Sequence, residues 1–306
     1  MTAMTKDAIV VIVNAGSGGG NDAALVDRLA VHFKAAGLHA EIELARGGDE
    51  IITAVGNAVA RRPPLIVAGG GDGTVSTVAA ALVDTGIAFG VLPLGTLNHF
   101  AKDLGIPLEL ADAVAVLAHG EAGRVDVGEV NGRIFVNNSG LGLYPDIVHD
   151  RERQQKRLRR GKWPAFVWAT LSALRRYPFL FVALVVDGKE VLRKTPFVFI
   201  GNNEYRMEGF AIGERSRMED GLLSLYVAQR PGRWRLVQLA VRALTGHLRQ
   251  ARDFDAILAA EIVVQSKRKR LHVATDGEVT VMTPPLHYRV RPGSLIVMRP
   301  RTDPAP

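Results

Sequence analysis

The chain has 306 residues, long enough for two domains, and 47% of them are hydrophobic, which supplies a packed core and excludes a disordered chain. It has no cysteine, so disulfides, cysteine–zinc sites and thiol nucleophiles are excluded, in keeping with a reducing compartment. The net charge of +7 and the pI of about 9.8 favour an anionic partner: nucleic acid, a phospholipid surface or a phosphorylated substrate. The polar start, Met1 to Asp7, lacks the apolar stretch of a signal peptide. No window of 18 or more uncharged apolar residues exists; the closest, Trp163 to Leu174, is twelve residues and ends at Arg175-Arg176, too short to span a bilayer.

The first third alternates between two periodicities. Ala8 to Val13 predicts a strand. Ala23 to Ala36 has helical spacing, with Leu25, Leu29 and Phe33 on one face, and stops at Gly37. Leu38 to Ala45 is a second strand and Asp49 to Arg61 a second helix. Strand Pro64 to Ala68, helix Val75 to Val83 and strand Ile87 to Leu92 follow, then a helix over Leu108 to His119. Strands alternating with helices over short loops predict a parallel sheet covered on both faces. Ligands in such sheets bind beyond the carboxyl ends of the strands. The glycines at 16–20, 69–73 and 95 all fall there, so three loops converge on one edge.

From Arg124 the texture changes. Val125 to Val130 and Arg133 to Asn137 flank the hairpin signal Asn131-Gly132, and Phe179 to Val186 and Glu190 to Ile200 flank Asp187-Gly188. Gly221 to Ala228, Ala260 to Gln265, Arg270 to Thr275, Glu278 to Met282 and Ser294 to Met298 are further strands, with helices near 164–177 and 233–249. The predicted fold is an α/β N-terminal domain with a parallel sheet over 1–124, followed by a mainly β domain over 125–306. The last strand or tail can pack back on the first domain.

Three segments carry candidate chemistry. Gly69-Gly70-Gly71-Asp72-Gly73-Thr74 joins a buried strand to a helix. Glycines let the backbone approach a ligand, the helix start offers free N–H groups to a phosphate, and Asp72 can hold a metal or a polarised water. Pro93 to Ala101 follows the fourth strand, with Thr96 and Asn98 at a helix start, where both are also ordinary N-caps. Asp276-Gly277-Glu278 is first a hairpin turn, but its two carboxylates can also supply a base and a metal or water ligand. Asn14-Ala15-Gly16-Ser17-Gly18-Gly19-Gly20 is neither a Walker A loop nor a dinucleotide fingerprint, since no Gly-Lys-Ser/Thr follows and Asn21 stands at the third glycine position.

In order and approximate spacing, Gly70 to Thr74, Pro93 to Ala101 and Asp276-Gly277-Glu278 resemble the soluble diacylglycerol-kinase-type lipid kinases. These include sphingosine and ceramide kinases and are distantly similar to NAD kinases. The resemblance spans roughly residues 8 to 300 and implies an NAD kinase/diacylglycerol kinase-like fold with the active site in an interdomain cleft. It also implies ATP and Mg2+ as cofactors. Asn14, Ser17, Gly18, Gly70, Gly71, Gly73, Thr74, Thr96 and Asn98 are then nucleotide-binding, with Asp72 near the triphosphate and its magnesium. Glu278 is the implied general base with Asp276 beside it, and Asp126 organises magnesium through water. A structural magnesium is implied at Asp220, with the carbonyls of Arg217 and Leu222 as further ligands. The chain departs from the family at His99, where many relatives carry an aspartate, at Gly201 to Gly209, and at Ala45-Arg46, where Arg46 can contact phosphate instead.

Arg151 to Lys162 carries seven cations and one anion and precedes the aromatic run Trp163 to Trp168. With Lys267-Arg268-Lys269-Arg270 it suits an anionic membrane surface, although charge runs are ordinarily solvated. The Arg233 to Arg249 stripe suits a docked surface helix. The leading expectation is a cytoplasmic lipid kinase, peripheral to the inner face of the membrane, that phosphorylates diacylglycerol. A sphingoid base, monoacylglycerol or a phosphatidylglycerol-like lipid comes next. The alternatives are a soluble-substrate kinase such as an NAD kinase, and a nucleotide-sensing protein that binds nucleic acid. No helix-turn-helix, zinc finger or RNP motif supports nucleic acid as a partner. Oligomeric state is open, a homodimer included.

Overall fold

A computed structural model describes residues 8–15, 17, 22–142, 180–186, 188–208, 211–215, 217–228 and 254–301. The chain divides into two compact units, Met1–Val127 with Pro292–Pro306, and Gly128–Arg291.

The first unit is an α/β layer structure. Strands β1 (Ile9–Asn14), β2 (Ala40–Ala45), β3 (Leu65–Gly70) and β4 (Ala88–Pro93) lie in the order β2-β1-β3-β4, all parallel. Val10 to Val13 and Ile66 to Ala68 are buried along their whole length, which is why these strands read as unbroken apolar runs. The intervening helices are α1 (Asp22–Ala35), α2 (Gly47–Arg61), α3 (Asp72–Leu82), the short α4 (His99–Asp103) and α5 (Leu110–His119). Leu25, Leu29 and Phe33 of α1 and Ile51, Ala54, Val55 and Ala58 of α2 are buried, as their spacing requires. Beyond β4, Val297 of the last strand pairs in parallel with Phe89.

The glycine-rich segment is not the loop expected at 69–73. Gly69 and Gly70 belong to β3, paired with Leu92 and Pro93, and α3 begins at Asp72, so Gly71 alone connects strand to helix. The second strand begins at Ala40 and not at Leu38, because the Leu38 N–H caps α1 through the Phe33 carbonyl, next to Gly37 at φ +72.

The second unit is mainly β. An antiparallel sheet runs β14 (Phe254–Ala259), β13 (Leu223–Ala228), β10 (Phe197–Asn202), β7 (Asn138–Gly142), β16 (Leu271–Thr275) and β17 (Glu278–Met282). The hairpin β8 (Leu180–Val186)–β9 (Lys189–Thr195) pairs through β8 with β15 (Glu261–Ser266), which pairs with the first half of β18 (Leu286–Arg299). β5 (Glu121–Val130) pairs with β6 (Arg133–Phe135), and β11 (Tyr205–Glu208) with β12 (Ala211–Arg215). The single strand expected over Glu190 to Ile200 is two strands in different ladders, broken at Pro196, which has no N–H to donate. β14 was not expected from the sequence, and the expected final strand begins eight residues earlier than Ser294, at Leu286. The helices expected near 164–177 and 233–249 lie outside the described residues. So does the cationic segment 151–162.

Candidate functional site

In the first unit the carboxyl ends of β1, β3 and β4 meet. Asn14, the last residue of β1, donates from Nδ2 to Oγ1 of Thr74 at 3.2 Å, tying that strand end to the first turn of α3. A Cβ on Gly70 would stand 2.6 Å from the same Oγ1. A Cβ on Gly95 would stand 2.4 Å from the Gly71 Cα and 2.8 Å from Asn98 Oδ1. Two backbones touch here, and only glycine lets them.

Asn98 sits at φ +51 and does not cap α4 with its side chain. Its Oδ1 accepts the Gly95 N–H at 3.0 Å, and its Nδ2 donates to the Gly95 and Pro93 carbonyls at 2.9 and 3.3 Å. The buried Asn98 amide therefore braces its own loop, and that loop presents Thr96 to solvent.

Asp72 opens α3. One carboxylate oxygen, Oδ1, is buried without a hydrogen-bond partner, as is Oγ of Ser76 one turn on. A buried acceptor left bare costs about 1–3 kcal/mol, and a carboxylate more. A cation or a hydrogen-bond donor would relieve it, and the free N–H groups of the α3 start beside it suit a phosphate. The donor set thus fits a magnesium-bound nucleotide phosphate. Among the described residues no group of three or more His, Asp or Glu could by itself hold a metal, so a magnesium at Asp72 would draw most of its ligands from phosphate and water, as magnesium usually does. Ser17 is half-buried, its N–H on the Asn14 carbonyl at 3.1 Å, and Gly73 is exposed. Gly18 lies outside the described residues.

Asp126 is buried on β5, and its Oδ1 accepts the Gly293 N–H at 2.8 Å. Arg124 donates to the Gly293 carbonyl at 2.9 Å. These bonds stitch the β18 bend at Gly293, φ +56, into the first unit.

In the second unit the two carboxylates of Asp276-Gly277-Glu278 have different surroundings. Asp276, at φ +48, accepts three backbone N–H groups: Val136 at 2.8 Å, Asn137 at 2.8 Å and Asn138 at 3.0 Å. Its own N–H donates to the Asn138 carbonyl at 2.9 Å. Asp276 is thus a clamp on residues 136–138. Glu278 is 60% exposed and pairs through Oε2 with Nη2 of Arg133 at 2.5 Å, while Nε of Arg133 donates to Thr275 Oγ1 at 2.7 Å. Glu278 is therefore the carboxylate of the pair that is open to a substrate.

Sequence reasoning did not single out Arg133 or Arg215. Arg215 is buried and holds the carbonyl side of the clamped segment, donating from Nη1 to the Val136 carbonyl at 2.7 Å and from Nη2 to Asn137 Oδ1 at 2.9 Å. Tyr205 and Asn202 add bonds to the Asn137 and Val136 carbonyls. An arginine in a short strand gives no local sign of this role, because its partners lie some eighty residues away.

Asp220 is partly exposed, with Arg217 Nη1 3.8 Å from its Oδ1 and its N–H on Asn203 Oδ1 at 3.1 Å. Gly221 turns the chain at φ +67, and the Leu222 carbonyl accepts the Asn203 N–H at 2.9 Å, which leaves it one lone pair.

Residues 8–130 match the diacylglycerol kinase catalytic domain, and residues 146–299 match the YegS C-terminal NAD kinase beta sandwich-like domain. The chain is 27% identical over 259 residues to a diacylglycerol kinase of Bacillus subtilis, covering 82% of this chain and 83% of that protein. It is 31% identical over 235 residues to a probable lipid kinase YegS-like of Pseudomonas aeruginosa, covering 74% of each. The crystal structure of a putative diacylglycerol kinase from Bacillus anthracis superposes with a TM-score of 0.76 at 22% identity, over 96% of this chain and 98% of that one. That likeness is one of fold: an α/β unit followed by a mostly β unit.

Proposed function

Because the chain belongs to the family that carries the diacylglycerol kinase catalytic domain, we propose that it is an ATP- and magnesium-dependent lipid kinase acting on the hydroxyl of diacylglycerol. The observation that carries this reading is the bare, buried Oδ1 of Asp72 at the start of α3, beside the close-packed Gly70, Gly71 and Gly95. Such a site asks for a cation and a phosphate together, and that is what phosphoryl transfer from ATP requires. The names of the Bacillus subtilis and Pseudomonas aeruginosa relatives support a lipid as acceptor.

Magnesium, when bound, supplies positive charge against the developing charge on the phosphate oxygens. Asp72 would hold it, with Asp126 ordering water near it. Asn14, Ser17, Gly18, Gly70, Gly71, Gly73 and Thr74 bind the nucleotide through backbone N–H groups and short polar side chains. Thr96 is offered by the loop that Asn98 braces. Glu278 receives the proton of the lipid hydroxyl as it leaves, and Arg133 orients the carboxylate. Asp276 positions the turn. Asp220, with the carbonyls of Arg217 and Leu222, would hold a second, structural magnesium.

Among the described residues no helix is long and apolar enough to cross a membrane. The enzyme meets its substrate peripherally, at the anionic inner face of the membrane, through the cationic segments 151–162 and 267–270.

The test is phosphate transfer from labelled ATP, with magnesium, to diacylglycerol in mixed micelles. Labelled phosphatidic acid is expected from the wild type, with a rate about 100-fold lower or less in Glu278→Gln, the size of a lost general base. Phosphorylation of NAD without any lipid product would replace this reading with that of a soluble-substrate kinase.

A further inference from the structure

β9 departs from the usual alternation at one step. In a sheet with one covered face, apolar side chains turn inward and polar ones outward. In β9 Arg193 is half-buried, 3.4 Å from Asp255, and Leu192 turns outward at 75% exposure. The partner strand repeats the anomaly: Leu180, Val182, Leu184 and Val186 enter the core, but Phe181 on the opposite face is 65% exposed. The ladder sets Phe181 opposite Lys194 and Ala183 opposite Leu192, so Phe181, Leu192 and Lys194 form one outward cluster. The Lys194 ammonium stands 5.3 Å from the Phe181 ring centroid.

The charge around the cluster is lopsided. Ser266, the last residue of β15, is opposite Val182, so the chain leaves the sheet beside Phe181 and enters Lys267-Arg268-Lys269-Arg270, all exposed. The carboxylates of this ladder, Glu190 and Glu261, lie at the other end of the strands, beside Val185 and beyond Val186. One end of an edge hairpin thus offers two large apolar side chains ringed by cations. Solvated surfaces do not need exposed Phe and Leu, and among the described residues the carboxylates of this ladder stand away from Lys267 to Arg270. Apolar side chains beside lysines and arginines are what an anionic bilayer accommodates: the side chains enter the acyl boundary and the cations meet the phosphates.

We infer that this end of the β8–β9–β15 face is a membrane-docking surface, in which Phe181 and Leu192 insert into an anionic phospholipid layer while Lys194 and Lys267 to Arg270 bind its headgroups. The inference deepens the lipid-kinase reading and rests on it for biological purpose, but not for its test.

The test is sedimentation of the full chain with phosphatidylcholine vesicles, with and without phosphatidylglycerol. Salt-sensitive binding only to the anionic vesicles is expected. Phe181→Ser/Leu192→Ser should weaken it by about tenfold or more, and alanine at 267–270 by roughly 600-fold, since each of the four cations at such a surface is worth about a fivefold change. Because the chain has no cysteine, Leu192→Cys accepts a single environment-sensitive dye, and Val31→Cys, 65% exposed on α1, is its control. A blue shift with anionic vesicles at 192 and none at 31 supports insertion without relying on a loss of function. Equal binding by wild type and the surface variants, or a dye at 192 that stays in water on bound protein, overturns the docking surface. So does cosedimentation replaced by binding to duplex DNA.

Phosphorylation of micellar diacylglycerol separates the two claims. Phe181→Ser/Leu192→Ser should keep it. If no lipid is phosphorylated by any form while anionic vesicles still shift the dye, the docking surface stands and the kinase reading falls.

Discussion

Asp276 and Glu278 stand two residues apart, yet their surroundings give them different tasks. Three backbone N–H groups converge on the Asp276 carboxylate, so its lone pairs hold residues 136–138 in place. Hydrogen bonds to a charged acceptor contribute more than neutral ones, roughly 1.5–3 kcal/mol each. Asn at 276 keeps one acceptor oxygen and turns an NH2 toward backbone donors. Asp276→Asn should therefore lower stability by about 3 kcal/mol in urea unfolding, with its activity loss following the unfolding. Glu278→Gln should do the reverse. Its ion pair with Arg133 is solvent-exposed and contributes about 0–1 kcal/mol, so the midpoint should barely move while turnover collapses. Equal stability of the two variants would put Asp276 back among the catalytic groups. Tyr288 also marks how tightly this unit is packed: burial pushes its hydroxyl well above the ordinary tyrosine range, against the pull of its hydrogen bond to Ser139. An unfolded chain releases that proton near pH 10 and the folded one does not, so Tyr288 draws stability away as pH rises above about 10.

At the scale of elements, the proposed nucleotide site depends on two strand-to-helix connections whose backbones touch. Gly95→Ala would place a Cβ 2.4 Å from the Gly71 Cα, where no side chain can swing aside, so one loop must move by about an ångström. A displacement of that size at a reacting centre costs on the order of 100-fold in rate, and isothermal titration should show ATP affinity falling with it. Gly56→Ala is the control: it lies in α2 with open space around its would-be Cβ, and it should raise stability by roughly 0.5–1 kcal/mol with ATP binding unchanged. Much of this half was legible from sequence, because continuous apolar runs such as Ile66 to Ala68 and amphipathic stretches such as α2 report burial locally. The β-rich half was less so. β14 carries Asp255 and Ala256, poor strand formers that the ladder with β13 overrides, and β9 and β10 part at a proline that a run of alternating residues conceals. The clamp role of Asp276 and the pairing of Arg133 with Glu278 were illegible for a different reason. Their partners are some 140 residues distant, and an Asp-Gly turn looks the same whether or not backbone N–H groups await its carboxylate.

At the scale of the whole molecule, the chain's end belongs to its beginning. Residues 292–299 form part of the first unit, where Leu295 and Val297 are fully buried and Val297 pairs with Phe89 of β4. Asp126, Arg124 and Glu121 each bond to this segment, the last through Arg299 at 3.3 Å, and the Asp84 N–H meets the Ser294 carbonyl at 2.9 Å. Without it, β4 would present an open edge and the groups on residues 84–126 would lose their partners. An open edge next to apolar side chains invites aggregation. A chain ending at Arg291 should therefore accumulate as insoluble protein, although every residue proposed to bind nucleotide or accept the lipid proton would still be present. Leu295→Ala isolates the packing part of that effect. A buried leucine cut to alanine costs about 2–5 kcal/mol, so its urea midpoint should fall accordingly while soluble protein keeps its affinity for ATP. If the truncated chain were soluble and bound ATP as the full chain does, the first unit would be complete without its last strand, and residues 292–299 would be a covering rather than a part of the core.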